Sequence, residues 1–200
     1  MAGFIHKKNR FTSFQIIIGG FIAVILIGAL LLMLPVSSKA GIITPFNEAL
    51  FTSTSAVCVT GLVVQDTATY WSWFGQGIIL VLIQIGGLGV ITIAVSFALL
   101  SGRKISLMQR SVMQEAISAP KVGGIVRLTG FVLKGTFLVE FTASFIMMPV
   151  FVKDFGAKGI WMAIFHSISA FCNAGFDLMG TENAKYASLT SYISHPLINI

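Results

Sequence analysis

The stretch SAVCVTGLVV, residues 55–64, places a threonine and a glycine after an apolar run that is too short to cross a membrane. A related stretch, SAFCNAGFDL, follows at residues 169–178. Residues 49–61 and 163–175 are identical at seven of thirteen positions at one constant spacing, which indicates a repeated unit that runs in the same direction in both copies. The identical pairs are Ala49 and Ala163, Phe51 and Phe165, Ser53 and Ser167, Ser55 and Ser169, Ala56 and Ala170, Cys58 and Cys172, and Gly61 and Gly175.

The composition indicates a membrane protein. The 200 residues are 56% hydrophobic and 10% charged, whereas soluble domains carry about 25% charged residues. Mean hydropathy is +0.91. No cleavable leader is expected, because the first apolar run is too long for a leader and no small-residue cleavage site follows it. Cys58 and Cys172 are interpreted as buried thiols at matching repeat positions rather than as a disulfide.

Hydropathy predicts an all-α fold in which long and short helices alternate. Residues 14–34, 74–100 and 128–152 are long enough to cross about 30 Å of hydrocarbon as helices. Residues 45–57 and 156–171 form shorter helices that cover roughly half a bilayer, which is typical of re-entrant segments. We refer to these two as the half-length helices.

Local signals refine the borders and the packing of these helices. Thr44 is a candidate N-cap, and Pro45 suits the first helical position. The run YWSWF, residues 70–74, is predicted to form an aromatic belt at the membrane interface. The glycine-rich run at residues 85–89 is predicted to permit close helix packing rather than a bend.

The repeat and the charge pattern divide the chain into four parts. Residues 1–13 form an N-terminal segment, residues 14–100 a first unit, residues 101–127 a linker with a surface helix, and residues 128–200 a second unit whose final helix is incomplete. Eight of the thirteen Lys and Arg residues lie in the N-terminal segment and the linker, which places both in the cytoplasm. The half-length helices therefore enter the membrane from outside.

The linker contains one amphipathic pattern. The run ISLMQRSVMQEAIS, residues 105–118, is predicted to be a short helix on the membrane surface, with a docking face for a cytosolic partner as the alternative. The basic residues flank membrane segments and are not interleaved with aromatic residues, so no nucleic-acid partner is expected.

The residues after each half-length helix suggest an ion-binding backbone. A helix that ends at mid-membrane points the negative end of its dipole at a cation, and the following segment can replace the ion's water shell with carbonyl oxygens. Gly61 and Gly175 permit the backbone angles that this requires. The residues before them, 59–60 and 173–174, differ between copies, as expected if backbone oxygens bind the ion. We name residues 58–61 the first segment and residues 172–175 the second segment.

The order helix, pore helix, filter and helix, repeated in tandem with one filter glycine each, resembles the Trk/Ktr/HKT superfamily of potassium transporters. The runs FTSTSAVCVTGLVVQDTATYWSWFGQ, residues 51–76, and IQIGGLGVIT, residues 83–92, are similar to the Ktr potassium-translocating membrane subunit. The resemblance implies a potassium-channel-like pore of tandem repeats that translocates K⁺ across the cell membrane. It assigns the K⁺ selectivity filter to Cys58, Val59, Thr60, Gly61, Cys172, Asn173, Ala174 and Gly175.

The resemblance also implies an assembly. Four such units surround one pore, the subunit forms a homodimer, and a cytosolic ring of nucleotide-binding regulatory subunits binds to it. Two segments cannot enclose an ion, so either the natural chain continues past Ile200 or several chains assemble. In the plant branch of the superfamily a serine at the first filter glycine accompanies sodium preference, so Gly61 favours potassium.

Other functions remain as alternatives. The first is a relative that is sodium-permeable or that uses Na⁺ as an activating or coupling ion. The second is an intramembrane serine hydrolase built on His166, Ser167 and Ser169, although their places in the repeat explain these residues without catalysis. The third is a non-conducting scaffold. No metal-ligand spacing is present, and we predict a transporter rather than an enzyme.

Four charged residues near the membrane segments carry separate expectations. Glu140 is predicted to accept hydrogen bonds from a pore helix or from the neighbouring unit while Lys134 extends to the interface, with a direct role in the ion path as the alternative for Glu140. Asp66 and Asp177 follow the two segments and either concentrate cations or are solvated loop charges.

Overall fold

The computed structural model describes residues 12–90, 92–93, 107–116 and 124–198. In these residues the chain forms six α-helices, two short 3-10 turns and isolated β-bridges, with no β-strand, so the predicted all-α class is confirmed for this part. The helices are α1 (Ser13–Leu32), α2 (Phe46–Val57), α3 (Trp73–Leu88), α4 (Leu107–Ala116), α5 (Ile125–Phe155) and α6 (Lys158–Phe171).

Helices α1 and α5 are, among the described residues, the two that are long and apolar enough to cross a membrane. Helix α1 begins at a capping box, in which the Gln15 N–H donates to the Thr12 hydroxyl (3.3 Å) and the Thr12 N–H donates to the Gln15 side chain (3.0 Å). In the most apolar stretch of each helix, only 17% of the residues of α1 and 28% of those of α5 are buried. Their apolar side chains therefore face outward, as expected for helices in lipid.

The helix borders differ from those that hydropathy predicted. Helix α3 ends at Leu88 because Gly89 has a φ of 84°, so the predicted unbroken helix over 74–100 is wrong at this point. Residues 94–100 lie outside the described part of the chain. Helix α5 extends three residues beyond each end of the predicted 128–152 helix. Apolar character locates a helix well, but backbone angles at glycine determine where it ends.

The first half-length helix, α2, starts one residue later than predicted. Pro45 is its N-cap, and no side chain caps it. The Thr44 hydroxyl instead accepts a hydrogen bond from the Tyr70 hydroxyl (3.1 Å), so the predicted capping role of Thr44 is wrong. The second half-length helix, α6, begins at Lys158 because Gly156, with a φ of 61°, first ends α5.

The predicted aromatic belt at residues 70–74 divides between the core and the surface. Trp71 is fully buried, whereas Trp73 and Phe74 are exposed. A belt residue lies at the membrane interface, so the prediction is wrong for Trp71. Trp71 lies there because it forms a β-bridge with Ser38, which draws the chain before α3 against the chain after α1.

Helix α4 lies within the predicted surface helix over 105–118, of which the remaining residues lie outside the described part. It contacts α1 and α5, and Val112 and Met113 are buried. One face of this helix is thus covered by the chain's own helices.

Each half-length helix is tied to the long helix that precedes it by the same serine of the repeat. The Ser53 hydroxyl donates to the Ile25 carbonyl oxygen of α1 (2.7 Å), and the Ser167 hydroxyl donates to the Glu140 carbonyl oxygen of α5 (2.5 Å). Since the hydroxyls satisfy backbone oxygens in apolar surroundings, these repeated serines fix the depth of α2 and α6.

The two units contact each other mainly through α3 and α6. The Gln76 side chain in α3 donates to the Thr67 and Trp71 carbonyl oxygens, both at 3.2 Å. Its oxygen accepts a hydrogen bond from the Trp161 indole of α6 at 2.9 Å. This buried amide therefore positions the start of the second half-length helix against the first unit.

Candidate ion-filter site

Both segments leave their half-length helices through the same backbone turn. The Thr60 N–H donates to the Ser55 carbonyl oxygen (2.9 Å), and the Ala174 N–H donates to the Ser169 carbonyl oxygen (2.7 Å). A hydrogen bond from an N–H to the carbonyl oxygen five residues earlier is characteristic of the Schellman motif at a helix C-terminus. The two helices therefore end in the same geometry at matching positions.

The backbone angles of the two segments also match. Val59 and Asn173 have φ values of 56° and 55°, and Gly61 and Gly175 have φ values of 71° and 72°. Asparagine adopts positive φ with some ease, but a β-branched residue does so at a cost of about 1–2 kcal/mol. The first segment thus keeps this backbone conformation even with an unfavourable side chain.

The two glycines bring the segments into direct contact. A Cβ atom added to Gly61 would lie 2.6 Å from the Ala174 oxygen and 3.0 Å from the Gly175 Cα atom. A Cβ atom added to Gly175 would lie 3.3 Å from the Gly61 Cα atom. Glycine is required at position 61 both for its positive φ and for space, and position 175 is slightly more open.

The glycine run of α3 packs against the end of α2 and against the second segment. A Cβ atom on Gly86 would overlap the Val57 carbonyl group at the end of α2. A Cβ atom on Gly87 would lie 2.5 Å from the Cys172 sulfur of the second segment. The predicted packing role of this run is confirmed at these two positions, while Gly89 provides the break that was not expected.

The cysteines differ in exposure. Cys172 is partly buried, but Cys58 is exposed, and both thiols are free. The prediction of a buried thiol is therefore wrong for Cys58. Helix α3 covers the sulfur of the second segment only.

Glu140 is buried in the interior and joins the two units. Its carboxylate accepts a hydrogen bond from the Gln84 amide of α3 (2.8 Å), and its backbone oxygen accepts one from Ser167 of α6 (2.5 Å). The bond from Gln84 is the predicted hydrogen bond from the neighbouring unit, and the bond from Ser167 ties Glu140 to a half-length helix. Lys134 is exposed, and its extension to the interface stays a prediction.

Asp66 is a buried hydrogen-bond acceptor, so it is not a solvated loop charge, whereas attraction of cations by its charge stays a prediction. One carboxylate oxygen accepts from the Thr69 N–H (2.7 Å) and the Thr69 hydroxyl (2.8 Å). The other accepts from the Tyr186 N–H of the second unit (2.7 Å). The carboxylate thus fastens the chain after the first segment to the chain after the second.

Asp177 is the more open of the two aspartates. It is half-buried, and one of its oxygens accepts a hydrogen bond from the Met179 N–H (2.9 Å). Burial raises the pKa of the Asp177 carboxyl, the Met179 N–H opposes this shift, and the nearby Asp66 charge adds to it. Attraction of cations at this carboxylate therefore stays a prediction.

A family model described as TrkH, cation transport protein, matches residues 6–200. The chain belongs to the TrkH family. The superfamily predicted from the repeat is thereby confirmed, and the family is described as one of cation transport proteins, in line with the predicted transporter.

Relatives from several bacteria match most of this TrkH-family chain. The potassium/sodium uptake protein NtpJ of Enterococcus hirae is 44% identical over 86% of this chain and 39% of its own length. The Ktr system potassium uptake protein B of Bacillus subtilis is 41% identical over 97% of this chain and 42% of its own. The protein of the same name from Vibrio alginolyticus is 35% identical over 92% of this chain and 39% of its own. This chain spans about two-fifths of the length of these relatives.

The geometry around His166 does not support the serine-hydrolase alternative. Both ring nitrogens bond to backbone groups. The Ser167 and Ser169 hydroxyls donate to the backbone oxygens of Glu140 and Phe176. Because neither serine bonds to the imidazole, the nucleophile and base that a serine hydrolase needs are not paired here.

Two residues that position the site were not singled out from the sequence. Gln84 was detectable in principle, because a polar side chain in an apolar helix needs a partner. Tyr186 carries no local signal, since its contacts with Val64 and Asp66 cross more than a hundred residues. Only the folded chain brings Tyr186 to the first segment.

Proposed function

We propose that this chain supplies two filter segments, residues 58–61 and 172–175, to a pathway that translocates K⁺ across the cytoplasmic membrane. One observation carries the proposal: the segments share their φ values at 59 and 173 and at 61 and 175 although the side chains before the glycines differ. What repeats is the backbone, and backbone carbonyl oxygens are the groups that replace the water shell of K⁺. The ends of α2 and α6 add the negative poles of their dipoles.

The proposed architecture is a tandem repeat. Residues 14–100 and 128–200 are two units of helix, pore helix, filter and helix, with α2 and α6 as the pore helices. Residues 1–13 and 101–127 lie in the cytoplasm, and the chain crosses the membrane several times. The distribution of Lys and Arg supports this orientation.

Potassium is the ion that we favour. Two relatives are named as Ktr potassium uptake proteins, and position 61 is glycine. The name of the Enterococcus hirae relative includes sodium, which supports the alternative in which Na⁺ permeates, activates or is coupled. Uptake of Rb⁺ with external Na⁺ replaced by a large organic cation separates them. Lost uptake supports activation or coupling by Na⁺, and unchanged uptake contradicts both. Permeation of Na⁺ is measured directly as uptake of labelled Na⁺.

The proposed assembly completes the pore. Two segments cannot surround an ion, and the superfamily resemblance supports four such segments around one pore in a full-length chain. It also supports a homodimer of that chain on a cytosolic ring of nucleotide-binding subunits. Light scattering of the protein in mild detergent measures the copy number. A mass of one copy would contradict the dimer.

The central test uses the natural full-length chain in cells without their own potassium uptake. We compare Gly61→Ser and Gly175→Ser with Gly41→Ser, because Gly41 also has a positive φ, 67°, but has open space around it. The two segment variants should lose Rb⁺ uptake or begin to pass Na⁺. The Gly41 variant should take up Rb⁺ as the parent does. Parent-like uptake by all three variants would overturn the filter assignment.

A further inference from the structure

Side chains of α6 hold the backbone immediately after the second segment. The His166 Nδ1 atom donates to the Met162 carbonyl oxygen (2.7 Å), and its Nε2 atom accepts from the Leu178 N–H (3.1 Å). The Nε2 atom faces an N–H donor, so the ring is neutral with its proton on Nδ1. The Ser169 hydroxyl donates to the Phe176 oxygen (2.6 Å). Side chains of α6 thus hold two backbone groups that follow Gly175.

The first unit lacks this arrangement. Thr52 stands at the position of His166, and its hydroxyl is buried without a hydrogen-bond partner. Ser55 stands at the position of Ser169, but its hydroxyl pairs with the Thr60 hydroxyl (2.9 Å) and not with a carbonyl oxygen beyond the glycine. The corresponding α2 side chains therefore leave the backbone after the first segment unanchored.

The stretch after the first segment is held by a residue of the second unit instead. The Tyr186 hydroxyl donates to the Val64 oxygen (2.9 Å), and Val64 is the repeat counterpart of Leu178. Tyr186 is itself exposed, whereas His166 is 2% exposed and stacks on Phe151 with ring centres 5.1 Å apart. A ring packed in this way cannot move without disturbing the core, so its bond to Leu178 is the more rigid of the two anchors.

We infer that His166 is a positioning residue that fixes the second segment through the Leu178 amide and thereby contributes to the discrimination of K⁺ from Na⁺. The inference rests on the proposed function. Carbonyl oxygens spaced for K⁺ must move inward to bind the smaller Na⁺, and an anchored backbone resists that movement. The second segment is consequently the less compliant of the two.

The test measures the ratio of Rb⁺ to Na⁺ uptake in the natural full-length chain. His166→Phe keeps a ring beside Phe151 but removes both nitrogens. His166→Gln returns an amide oxygen near the Nε2 position, where it can accept from Leu178. Thr52→Val is the matched control, because it removes a hydroxyl that has no partner.

The Phe variant should lower the ratio about tenfold, which corresponds to about 1.4 kcal/mol, while the Gln and Val variants keep the parent ratio. A parent-like Phe variant, or a Gln variant that falls as far as Phe, would overturn the inference. If the Phe variant is not produced, His166→Asn replaces it, since asparagine reaches only the Nδ1 position. Equal ratios for Asn and Gln would then contradict the positioning role.

The glycine variants distinguish a failure of the proposed function from a failure of the proposed role of His166. If Gly61→Ser and Gly175→Ser behave as the parent does, the proposed function fails. If they lose uptake while every His166 variant keeps the parent ratio, only the role of His166 is wrong.

Discussion

Asp66 and Tyr186 are separated by 120 residues, yet the Tyr186 N–H donates to the Asp66 carboxylate at 2.7 Å. The Tyr186 hydroxyl also reaches the Val64 oxygen. Gly180 packs so closely against the same carboxylate that a Cβ atom there would overlap it. The stretches that follow the two segments are therefore joined to each other, in addition to the contact between Gly61 and Gly175.

Replacement of Asp66 by Asn should destabilise the protein. An amide cannot accept from both Thr69 and Tyr186, so one partly buried N–H loses its hydrogen bond, at a cost of about 0.5–1.5 kcal/mol. Thermal unfolding in detergent measures the effect. Asp177→Asn is the control, because among the described residues Asp177 accepts only from Met179, and it lies half-buried. Equal changes in Tm for the two variants would contradict the joining role of Asp66.

Gly86→Ala and Gly77→Ala form a matched pair on α3. The added methyl group at Gly86 overlaps the Val57 carbonyl, whereas nothing lies within 4 Å of the corresponding position at Gly77. The first substitution should abolish or strongly reduce folded protein. The second should be neutral or stabilise by up to about 1 kcal/mol through helix propensity. Yield and monodispersity after size-exclusion chromatography report both, and a well-folded Gly86 variant would disprove the close contact.

Glu140→Gln should fold at least as well as the parent. The Gln84 oxygen is buried without a hydrogen-bond partner, and a glutamine at 140 offers it an N–H donor while its own oxygen still accepts from the Gln84 amide. Glu140→Leu should reduce the yield, because it leaves both polar groups of Gln84 unpaired. Neither should alter the ratio of Rb⁺ to Na⁺ uptake among folded molecules. Altered selectivity at normal yield would place Glu140 in the ion path.

Val59→Asn tests whether the backbone alone binds the ion. Asn173 already occupies the matching position with the same φ, and removal of a β-branched residue from positive φ should raise stability by about 1 kcal/mol. Ion selectivity should not change. If selectivity shifts while the protein folds normally, the side chain at 59 contributes to the site.

Acid outside the cell should reduce uptake through Asp177. Its pKa is raised, so the carboxyl becomes neutral as external pH falls through a range above that of an ordinary aspartate, and attraction of cations is lost with it. The negative charge of Asp66 raises this pKa further. At low Rb⁺ concentration, Asp177→Asn should lower uptake and flatten this part of the pH profile. An unchanged profile would assign Asp177 a purely structural role.

The sequence predicted which helices form more accurately than the residues at which they begin and end. The half-length helices were placed within two residues of their observed starts, because apolar runs of that length have few alternatives. The break at Gly89 and the burial of Trp71 were not predicted. A run of glycines is compatible either with a continuous helix or with a helix break. A cluster of aromatic residues can lie either at the membrane interface or in the protein core.

What the sequence determined by itself is the repeated unit: two short helices, each followed by a turn and a glycine, in a chain too apolar for water. Local spacing and composition are sufficient for that, since helix length and turn chemistry depend on neighbouring residues. The tertiary structure alone decided which side chains hold the two segments in place. Gln84 meets Glu140, Gly87 meets Cys172, and Asp66 meets Tyr186. These partners lie 56 to 120 residues apart, and no local pattern encodes contacts that form only when the two units pack together.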